Sequence, residues 1–337
     1  MVKEGRADLV AFGRQSLADP AMPKKAQEER LEDMTPCIAC LQGCVANMYA
    51  GNPVCCLTNP FLGHEAEPLE KAEEPKKVMV IGGGVAGLSA AFIAKERGHE
   101  VTLYEAGDVL GGNMRLAAYP PGKGDITNMI RSYIHRCQKD GVKIVMNCEV
   151  TPELIKEEKP DSVIIATGSK TLILPIEGID NPAIIHGSDL LDGKRAAGKK
   201  VLVVGGGMVG CETAAFLGEQ EHDVTVIEFR DTVGADVIHE HRVYLMKDFE
   251  DYGIKEITGA KVCKFYEDGV EYETADGVRH ESRGYDSVIL SMGFRNYNPL
   301  EEKIKDLVPE THVIGDAIRA RRALDATKEA YEVASRI

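Results

Sequence analysis

The stretch "KVMVIGGGVAGLSAAFIAKERGHEVTLYEAGD", residues 77–108, returns 123 residues later as "KVLVVGGGMVGCETAAFLGEQEHDVTVIEFRD", residues 200–231. Each copy opens with an apolar, β-branched run typical of a buried parallel strand, followed by glycines, a helix of small residues and a second strand. A further pair of similar segments, 161–168 and 286–293, supplies a returning strand to each copy. The sequence therefore predicts an α/β fold with two Rossmann-like βαβ units.

Three glycines in each unit have separate physical roles. In chain order they are Gly82, Gly84 and Gly87 in the first unit, and Gly205, Gly207 and Gly210 in the second. The first permits a tight turn after the strand, the second leaves the backbone open to a pyrophosphate, and the third lets the helix pack closely on the strand. Because a helix N-terminus adds free N–H groups and a positive dipole end, each unit is predicted to bind a dinucleotide.

A glutamate ends the second strand of each unit. Glu105 and Glu228 both lie 23 residues after the first glycine, where a carboxylate accepts hydrogen bonds from a ribose diol. Glu228 would repel a 2′-phosphate, which favours NADH over NADPH. Arg230 could accept that phosphate, so the sequence leaves NADPH open.

The order of these motifs resembles the glutathione-reductase-like flavoproteins, which contain two dinucleotide-binding domains. Four short segments extend the resemblance: "GGN" (111–113), "ATG" (166–168), "SMG" (291–293) and "HVIGDA" (312–317). It implies that the first unit binds FAD and the second binds NAD(P)H. The additional FAD residues that it implies are Gly112, Asn113, Thr167, Gly168, Gly315 and Asp316. For the nicotinamide nucleotide it adds Gly293.

A second feature is the cysteine-rich stretch "TPCIACLQGCVANMYAGNPVCCLTNP", residues 35–60, which holds five of the nine cysteines. No secretory signal opens the chain, so a cytoplasmic location is expected, with reduced cysteines and a metal site rather than disulfides. Zinc, with His64 as a conceivable fourth ligand, and an iron–sulfur cluster both remain open on the residues alone.

The spacing CxxCxxxC, followed by a cysteine after eleven further residues, resembles the cluster motif of one flavoprotein family. That family is the 2,4-dienoyl-CoA reductase, enoate reductase and trimethylamine dehydrogenase group of iron–sulfur NADH:flavin oxidoreductases. The resemblance implies a 4Fe–4S cluster, with Cys55 left over. The four implied ligands are Cys37, Cys40, Cys44 and Cys56.

The N-terminal stretch "GRADLVAFGRQSLADPAMPKKA", residues 5–26, resembles the last strand and helix of that family's FMN-binding (β/α)8 barrel. In the complete enzyme, Gly13 and Arg14 would contact the FMN phosphate. One strand and one helix cannot close a barrel. We therefore expect the missing barrel as a further domain or as a barrel-bearing subunit, and we expect no substrate reduction by this chain alone.

These interpretations divide the chain into four predicted parts. They are a barrel remnant at 1–36, an iron–sulfur segment and linker at 37–76, a discontinuous FAD domain at 77–185 plus 294–337, and an NAD(P)H domain at 186–293.

The resemblance implies an electron relay from NAD(P)H through FAD to the cluster, and in the full-length enzyme on to FMN for reduction of an enoyl- or enoate-type substrate. No catalytic side chain is assigned, because hydride transfer needs no acid or base from the protein. One alternative is a structural module that holds ADP, does not react with NAD(P)H and exports electrons to a partner protein. Another is a reductase module similar to the small subunit of glutamate synthase.

Composition limits the partners. A net charge of −14 disfavours nucleic acid and anionic membranes, and the longest apolar stretch, residues 78–94, is too short to span a bilayer. We expect neither nucleic acid nor membrane as a partner, and a homo-oligomer remains open.

Overall fold

The computed structural model describes residues 1–67 and 69–337 of the chain. The chain divides into two compact units. The first unit comprises residues 1–114, 125–168 and 297–337, and the second comprises residues 115–124 and 169–296. Within the described part of the chain, none of the helices combines the length and the apolar character that a membrane crossing requires.

Strands and helices alternate through both glycine-turn segments. The strands are β1 (Lys77–Ile81), β2 (Glu100–Tyr104), β3 (Lys143–Val145), β4 (Ser162–Ile165), β5 (Ser169–Thr171), β6 (Ile185–His186), β7 (Lys200–Val204), β8 (Asp223–Ile227), β9 (Lys255–Ile257), β10 (Lys261–Tyr266), β11 (Gly269–Glu273), β12 (Arg279–Ser282), β13 (Ser287–Leu290), β14 (Phe294–Asn296) and β15 (Glu310–Val313). The helices are α1 (Arg14–Ala18), α2 (Met22–Gln27), α3 (Val45–Tyr49), α4 (Val85–Glu96), α5 (Asn113–Leu116), α6 (Ile126–Lys139), α7 (Pro152–Glu158), α8 (Gly187–Leu191), α9 (Met208–Glu219), α10 (His239–Asp251), α11 (Glu301–Ile304) and α12 (Ala323–Ala334). Single 3-10 turns lie at Leu31–Asp33 and Gly315–Ala317.

The first unit is built on a five-stranded parallel sheet in the order β15-β4-β1-β2-β3. Its central strands are buried on both faces, as their continuous apolar sequence predicts for a parallel sheet covered by helices. On one face, Met79, Ile81 and Ile165 share a core with Ile155 of α7 and Ile304 of α11. Helix α4 contacts α6 and α12 and is buried over nearly its whole length. The sheet and α4 together fix the position of the first glycine turn.

The second unit repeats this plan with a parallel sheet in the order β6-β13-β7-β8-β9. The repeat includes a matching pair of hydrogen bonds at the first residues of β1 and β7. Asp161 accepts a hydrogen bond from the Lys77 N–H, and Asp286 accepts one from the Lys200 N–H, both at 2.7 Å. The second unit also contains an antiparallel sheet, β10-β11-β12, and a two-stranded ribbon of β5 and β14.

One sequence expectation differs from this architecture. The strand expected before Gly13 is wrong: residues 9–12 form no strand, and Leu9 is 89% exposed. A strand needs a neighbour to satisfy its backbone groups, and the described chain supplies none there. The chain passes from one compact unit to the other at 114/115, 124/125, 168/169 and 296/297, and β5 pairs with β14 inside the second unit. The predicted domain bounds stay a prediction. Which cofactor each unit binds stays a prediction.

Candidate cofactor sites

The first glycine turn joins the end of β1 to the start of α4. Gly82 has φ +108°, and a Cβ there would lie 2.3 Å from the Ala166 carbonyl oxygen, so only glycine is tolerated. A Cβ at Gly87 would lie 1.9 Å from the Gly82 carbonyl oxygen, which shows how tightly α4 packs on the turn. A Cβ at Gly84 would meet nothing within 4 Å. The backbone at the N-terminus of α4 is therefore open to a phosphate group.

Glu105, at the end of β2, is fixed beside this turn. Its Oε2 accepts a hydrogen bond from the Gly83 N–H and its Oε1 accepts one from the Gly107 N–H, both at 2.7 Å. The carboxylate is thus held at the edge of the open backbone, where it can accept hydrogen bonds from a ribose diol.

The flavin-loop glycines predicted from the sequence lie against the same turn. The Gly111 N–H donates to the Gly83 carbonyl oxygen at 2.8 Å, and a Cβ at Gly112 would lie 3.1 Å from the Gly84 Cα. Asn113 follows as the first residue of α5. The loop and the turn together form one side of the first candidate site.

The late strand β15 brings Gly315 and Asp316 to the first turn of α4. Gly315 has φ +63°, and a Cβ there would lie 3.1 Å from the Cβ of Ala86. The Asp316 Oδ1 accepts a hydrogen bond from the Arg321 N–H at 3.0 Å. The structure therefore places Gly315, the residue before Asp316, against the first turn of α4, and the flavin role of Asp316 stays a prediction.

Thr167 and Gly168 follow β4 at the carboxyl end of the same sheet. The Thr167 hydroxyl donates a hydrogen bond to the Tyr297 carbonyl oxygen, and the Gly168 carbonyl oxygen accepts one from the Tyr297 N–H. These residues lie where the chain leaves the first unit and returns to it.

The second glycine turn has the same geometry. Gly205 has φ +108°, and a Cβ there would lie 2.3 Å from the Ser291 carbonyl oxygen. A Cβ at Gly210 would lie 1.8 Å from the Gly205 carbonyl oxygen. The Glu228 Oε2 accepts a hydrogen bond from the Gly206 N–H at 2.5 Å. The second unit therefore repeats the backbone geometry of the first glycine turn.

The rim of the second turn contains Arg230 and Gly293. The Arg230 N–H donates to the Glu228 Oε1 at 3.0 Å, and the Arg230 residue is exposed. Gly293 has φ +97°, and its carbonyl oxygen accepts a hydrogen bond from the Leu172 N–H at 2.9 Å.

The second turn contains one residue that the sequence reasoning missed. The Asp236 Oδ1 accepts a hydrogen bond from the N–H of Met208, the first residue of α9, at 2.8 Å. A Cβ at Gly207 would lie 3.5 Å and 3.6 Å from the two Asp236 carboxylate oxygens. The signal was available, because Asp236 lies 123 residues after Asn113, in the register of the repeat.

The clustered cysteines line one small cavity. Its lining includes Arg14 and the five cysteines Cys37, Cys40, Cys44, Cys55 and Cys56. Ala39 and Leu41 adopt left-handed backbone conformations at φ +52° and +58°, which are uncommon for such residues and bend the loop between the cysteines. The four cysteines predicted as cluster ligands are therefore brought together, with Cys55 beside them.

The side chains of Gln15 and Asn59 link the cysteine segment to the N-terminal segment. Gln15 accepts a hydrogen bond from the Cys37 N–H at 2.8 Å and donates one to the Thr35 carbonyl oxygen at 2.9 Å. Asn59 donates to the Leu17 carbonyl oxygen at 2.9 Å. Gly13, at the start of α1, has open space around it. The FMN-phosphate role of Gly13 and Arg14 stays a prediction.

The cavity is lined by thiols, the donor type that an iron–sulfur cluster takes. In the described residues, no group of three or more His, Cys, Asp or Glu side chains is arranged to hold one metal ion. His64, considered as a zinc ligand, instead stacks on the ring of Tyr331 with 4.3 Å between the ring centroids. A cubane cluster takes one thiolate on each iron, so its ligands surround a larger body than one ion.

The thiol electrostatics agree with a shared site. Burial, with a smaller effect from the nearby thiols of Cys56, Cys44 and Cys37, raises the pKa of Cys40 to about 11. A bound metal would reverse this effect, since a coordinating thiol is deprotonated. The cavity therefore suits a ligand that carries its own positive charge.

Residues 76–312 match the family described as pyridine nucleotide-disulphide oxidoreductase. The chain is 36% identical to an NADH oxidase from Thermoanaerobacter brockii, over 100% of this chain and 53% of that protein. It is 34% identical to a cinnamate reductase from Clostridium sporogenes, over 100% of this chain and 50% of that protein.

Among solved structures, a 2-naphthoyl-CoA reductase in complex with 2-naphthoyl-CoA superposes with a TM-score of 0.95 at 34% identity, over 100% of this chain and 51% of that chain. The chain thus spans about half the length of these relatives. The chain belongs to the pyridine nucleotide-disulphide oxidoreductase family and is an oxidoreductase.

Proposed function

We propose that this chain is the NAD(P)H-oxidising and electron-relaying part of an iron–sulfur flavoprotein reductase. The observation that carries the proposal is the presence, in one chain, of two glycine-turn cradles and a cavity lined by five cysteines. The first cradle and the cavity lie within the same compact unit.

In this proposal the first unit binds FAD and the second binds the nicotinamide nucleotide. The FAD residues are Gly82, Gly84, Gly87, Glu105, Gly112, Asn113, Thr167, Gly168, Gly315 and Asp316. The NAD(P)H residues are Gly205, Gly207, Gly210, Glu228, Arg230 and Gly293. The cluster ligands are Cys37, Cys40, Cys44 and Cys56. When bound, these groups supply the redox chemistry, converting two-electron hydride transfer into one-electron steps.

The protein's own contribution is to bind and to orient. The open backbone at Gly84 and the α4 N-terminus receive the flavin pyrophosphate, and the Glu105 carboxylate holds a ribose diol. Glu228 does the same for the nicotinamide nucleotide and disfavours a 2′-phosphate, so we propose NADH as the preferred donor. No side chain is assigned as an acid or base.

The packing of the cysteine loop supports a short path between flavin and cluster. Gly315 packs against the first turn of α4, and nine residues later the Leu324 N–H donates to Gln42 Oε1 at 3.3 Å. Gln42 lies between Cys40 and Cys44 in the cysteine loop. One short segment of chain therefore touches both the first cradle and the cysteine loop.

We further propose that the electrons pass to FMN in a (β/α)8 barrel, in the same polypeptide or in a partner subunit, for reduction of an unsaturated enoyl- or enoate-type substrate. The names of the cinnamate reductase and 2-naphthoyl-CoA reductase relatives support this substrate class. Gly13 and Arg14 would contact the FMN phosphate there.

The ADP-holding alternative is not favoured. The relatives named as reductases or an NADH oxidase are 33–36% identical to this chain, whereas a dimethylamine dehydrogenase from Hyphomicrobium is 27% identical.

The test is anaerobic reconstitution of the chain with FAD, iron and sulfide, followed by addition of NADH. We expect rapid loss of flavin absorbance and an electron paramagnetic resonance signal from a reduced cluster. The matched variant Cys40→Ser should keep the flavin reduction and lose the cluster signal. A chain that binds FAD but is not reduced by NADH would contradict the proposal.

A further inference from the structure

The two glycine turns differ in one respect, the group that faces the start of the helix. At the first turn, a Cβ on Gly84 would meet nothing within 4 Å. At the second turn, a Cβ on Gly207 would lie 3.5 Å from one Asp236 carboxylate oxygen. The other carboxylate oxygen accepts a hydrogen bond from the Met208 N–H at 2.8 Å. A carboxylate therefore occupies the helix N-terminus where a dinucleotide pyrophosphate would bind.

The loop that carries Asp236 is anchored, whereas its side chain is exposed. The Gly234 N–H donates to the Gly206 carbonyl oxygen at 2.7 Å, as the Gly111 N–H does to Gly83 in the first unit. The Arg242 guanidinium also donates to the Val233 carbonyl oxygen at 3.1 Å. Asp236 itself is exposed, so its carboxylate is accessible to solvent and to a bound nucleotide.

We propose that Asp236 is an internal competitor of the dinucleotide pyrophosphate at the N-terminus of α9 and limits the affinity of the second unit for NAD(P)H. The inference rests on the proposed function, in which this unit binds the nicotinamide nucleotide. A pyrophosphate and the Asp236 carboxylate are both anions and use the same backbone N–H donors. The pyrophosphate must therefore displace the Asp236 carboxylate when it binds, and the displaced negative charge stays close to it. The consequence is a weaker complex that releases oxidised nucleotide readily.

The direct test is Asp236→Asn, which keeps an oxygen able to accept the Met208 N–H but removes the charge. The probe is ADP-ribose, which contains the pyrophosphate and cannot reduce the flavin, measured by calorimetry on the protein loaded with FAD and cluster. We expect a dissociation constant about tenfold lower than that of the unmodified protein, equivalent to about 1.4 kcal/mol. The difference should shrink in high salt, because exposed charges are screened.

Two controls separate charge at this position from charge in general. Asp231→Asn makes the same charge change at an exposed position five residues earlier in the chain and should alter ADP-ribose binding by less than about twofold, because exposed charges are screened. Adenosine, which has no phosphate, should inhibit ADP-ribose binding equally in all three proteins.

The outcomes distinguish this inference from the proposed function. Equal ADP-ribose affinities in the Asp236→Asn variant and the unmodified protein, with NADH still reducing the flavin, would overturn the inference and leave the function intact. Failure of ADP-ribose and NADH to bind any of the three proteins would overturn both.

Discussion

Replacing Glu228 by alanine should change the coenzyme preference of the second unit. The Glu228 carboxylate is held at the end of β8 by the N–H groups of Gly206 and Arg230, at 2.5 Å and 3.0 Å. In the proposed complex it accepts hydrogen bonds from the ribose diol of NADH and faces the 2′-phosphate of NADPH. The substitution should therefore weaken the binding of NADH and strengthen the binding of NADPH.

The magnitude follows from two effects of opposite sign. Hydrogen bonds to a charged group contribute about 1.5–3 kcal/mol, so NADH binding should weaken by about tenfold or more. Two unit negative charges about 4 Å apart repel by about 1 kcal/mol in water and about 4 kcal/mol near a protein surface. NADPH binding should therefore tighten by about fivefold or more. Together, the NADH-to-NADPH preference should fall by at least about 50-fold.

The assay compares kcat/KM for flavin reduction by NADH and by NADPH in the FAD-loaded protein. Glu105→Ala is the matched control, because Glu105 makes the equivalent bonds in the first unit at 2.7 Å. That variant should lose FAD more readily and keep the coenzyme preference unchanged. A Glu228→Ala protein that folds, binds FAD and retains the original NADH-to-NADPH ratio would refute the assignment of Glu228 to the ribose.

Three further predictions concern the cluster, the first turn and a buried imidazole. Cys56→Ser should lower the iron content of the reconstituted protein well below the four iron atoms per chain of a 4Fe–4S cluster, whereas Cys55→Ser should keep that content. Equal losses of iron in the two variants would reject Cys56 as the specific fourth ligand. Gly82→Ala should lower the free energy of unfolding in urea by about 3 kcal/mol, because its Cβ would clash with the Ala166 carbonyl oxygen at φ +108°; a change below about 0.5 kcal/mol would argue against the turn geometry. Burial lowers the pKa of His99 below its ordinary 6.5. As the pH falls below 6.5, the unfolded state therefore takes up a proton on this ring before the folded state does. The contribution of His99 to stability is full above pH 6.5 and declines as the pH falls towards the folded-state pKa. The unfolding free energy of the unmodified protein relative to a His99→Gln variant should therefore decrease on acidification below pH 6.5, and a rise would contradict the sign.

The repeated glycine turns were predictable because their constraints are local. Gly82 and Gly205 share φ +108° and each faces a carbonyl oxygen 2.3 Å from a hypothetical Cβ, so the chain has no other residue choice there. The strand that follows each turn and the glutamate that ends it are equally local features. This is why the sequence alone indicated two dinucleotide cradles and most of their residues.

Features that depend on distant partners were harder to predict. The strand expected near Leu9 did not form, because strand propensity cannot supply the neighbouring strand that its backbone needs. Asp236 was missed because its loop, "GAD" at 234–236, shares only one residue with "GGN" at 111–113, although the repeat aligns the two segments. Its contact with α9 depends on the folded loop. The sheet of β10 to β12 was also missed, although the alternation in "GVEYE" at 269–273 and the turn "ADG" at 275–277 were visible in the sequence.

The cysteine segment lies between these two cases. Its spacing and its resemblance to one flavoprotein family indicated four ligands, and the structure brings all four to one cavity. The inclusion of Cys55 in the same lining was not expected, because adjacent residues rarely point into one space in extended chain. Here the Cys55 N–H donates to the Gly43 carbonyl oxygen at 2.9 Å, which turns the chain at this point.

The central claim is that electrons enter this chain from NADH and reach both flavin and cluster. The most direct measurement is the visible absorption spectrum of the anaerobically purified protein before and after addition of NADH. Our account predicts a flavin band over a broad iron–sulfur absorption, both bleached by NADH. A spectrum that contains both chromophores and is unchanged by NADH would contradict it.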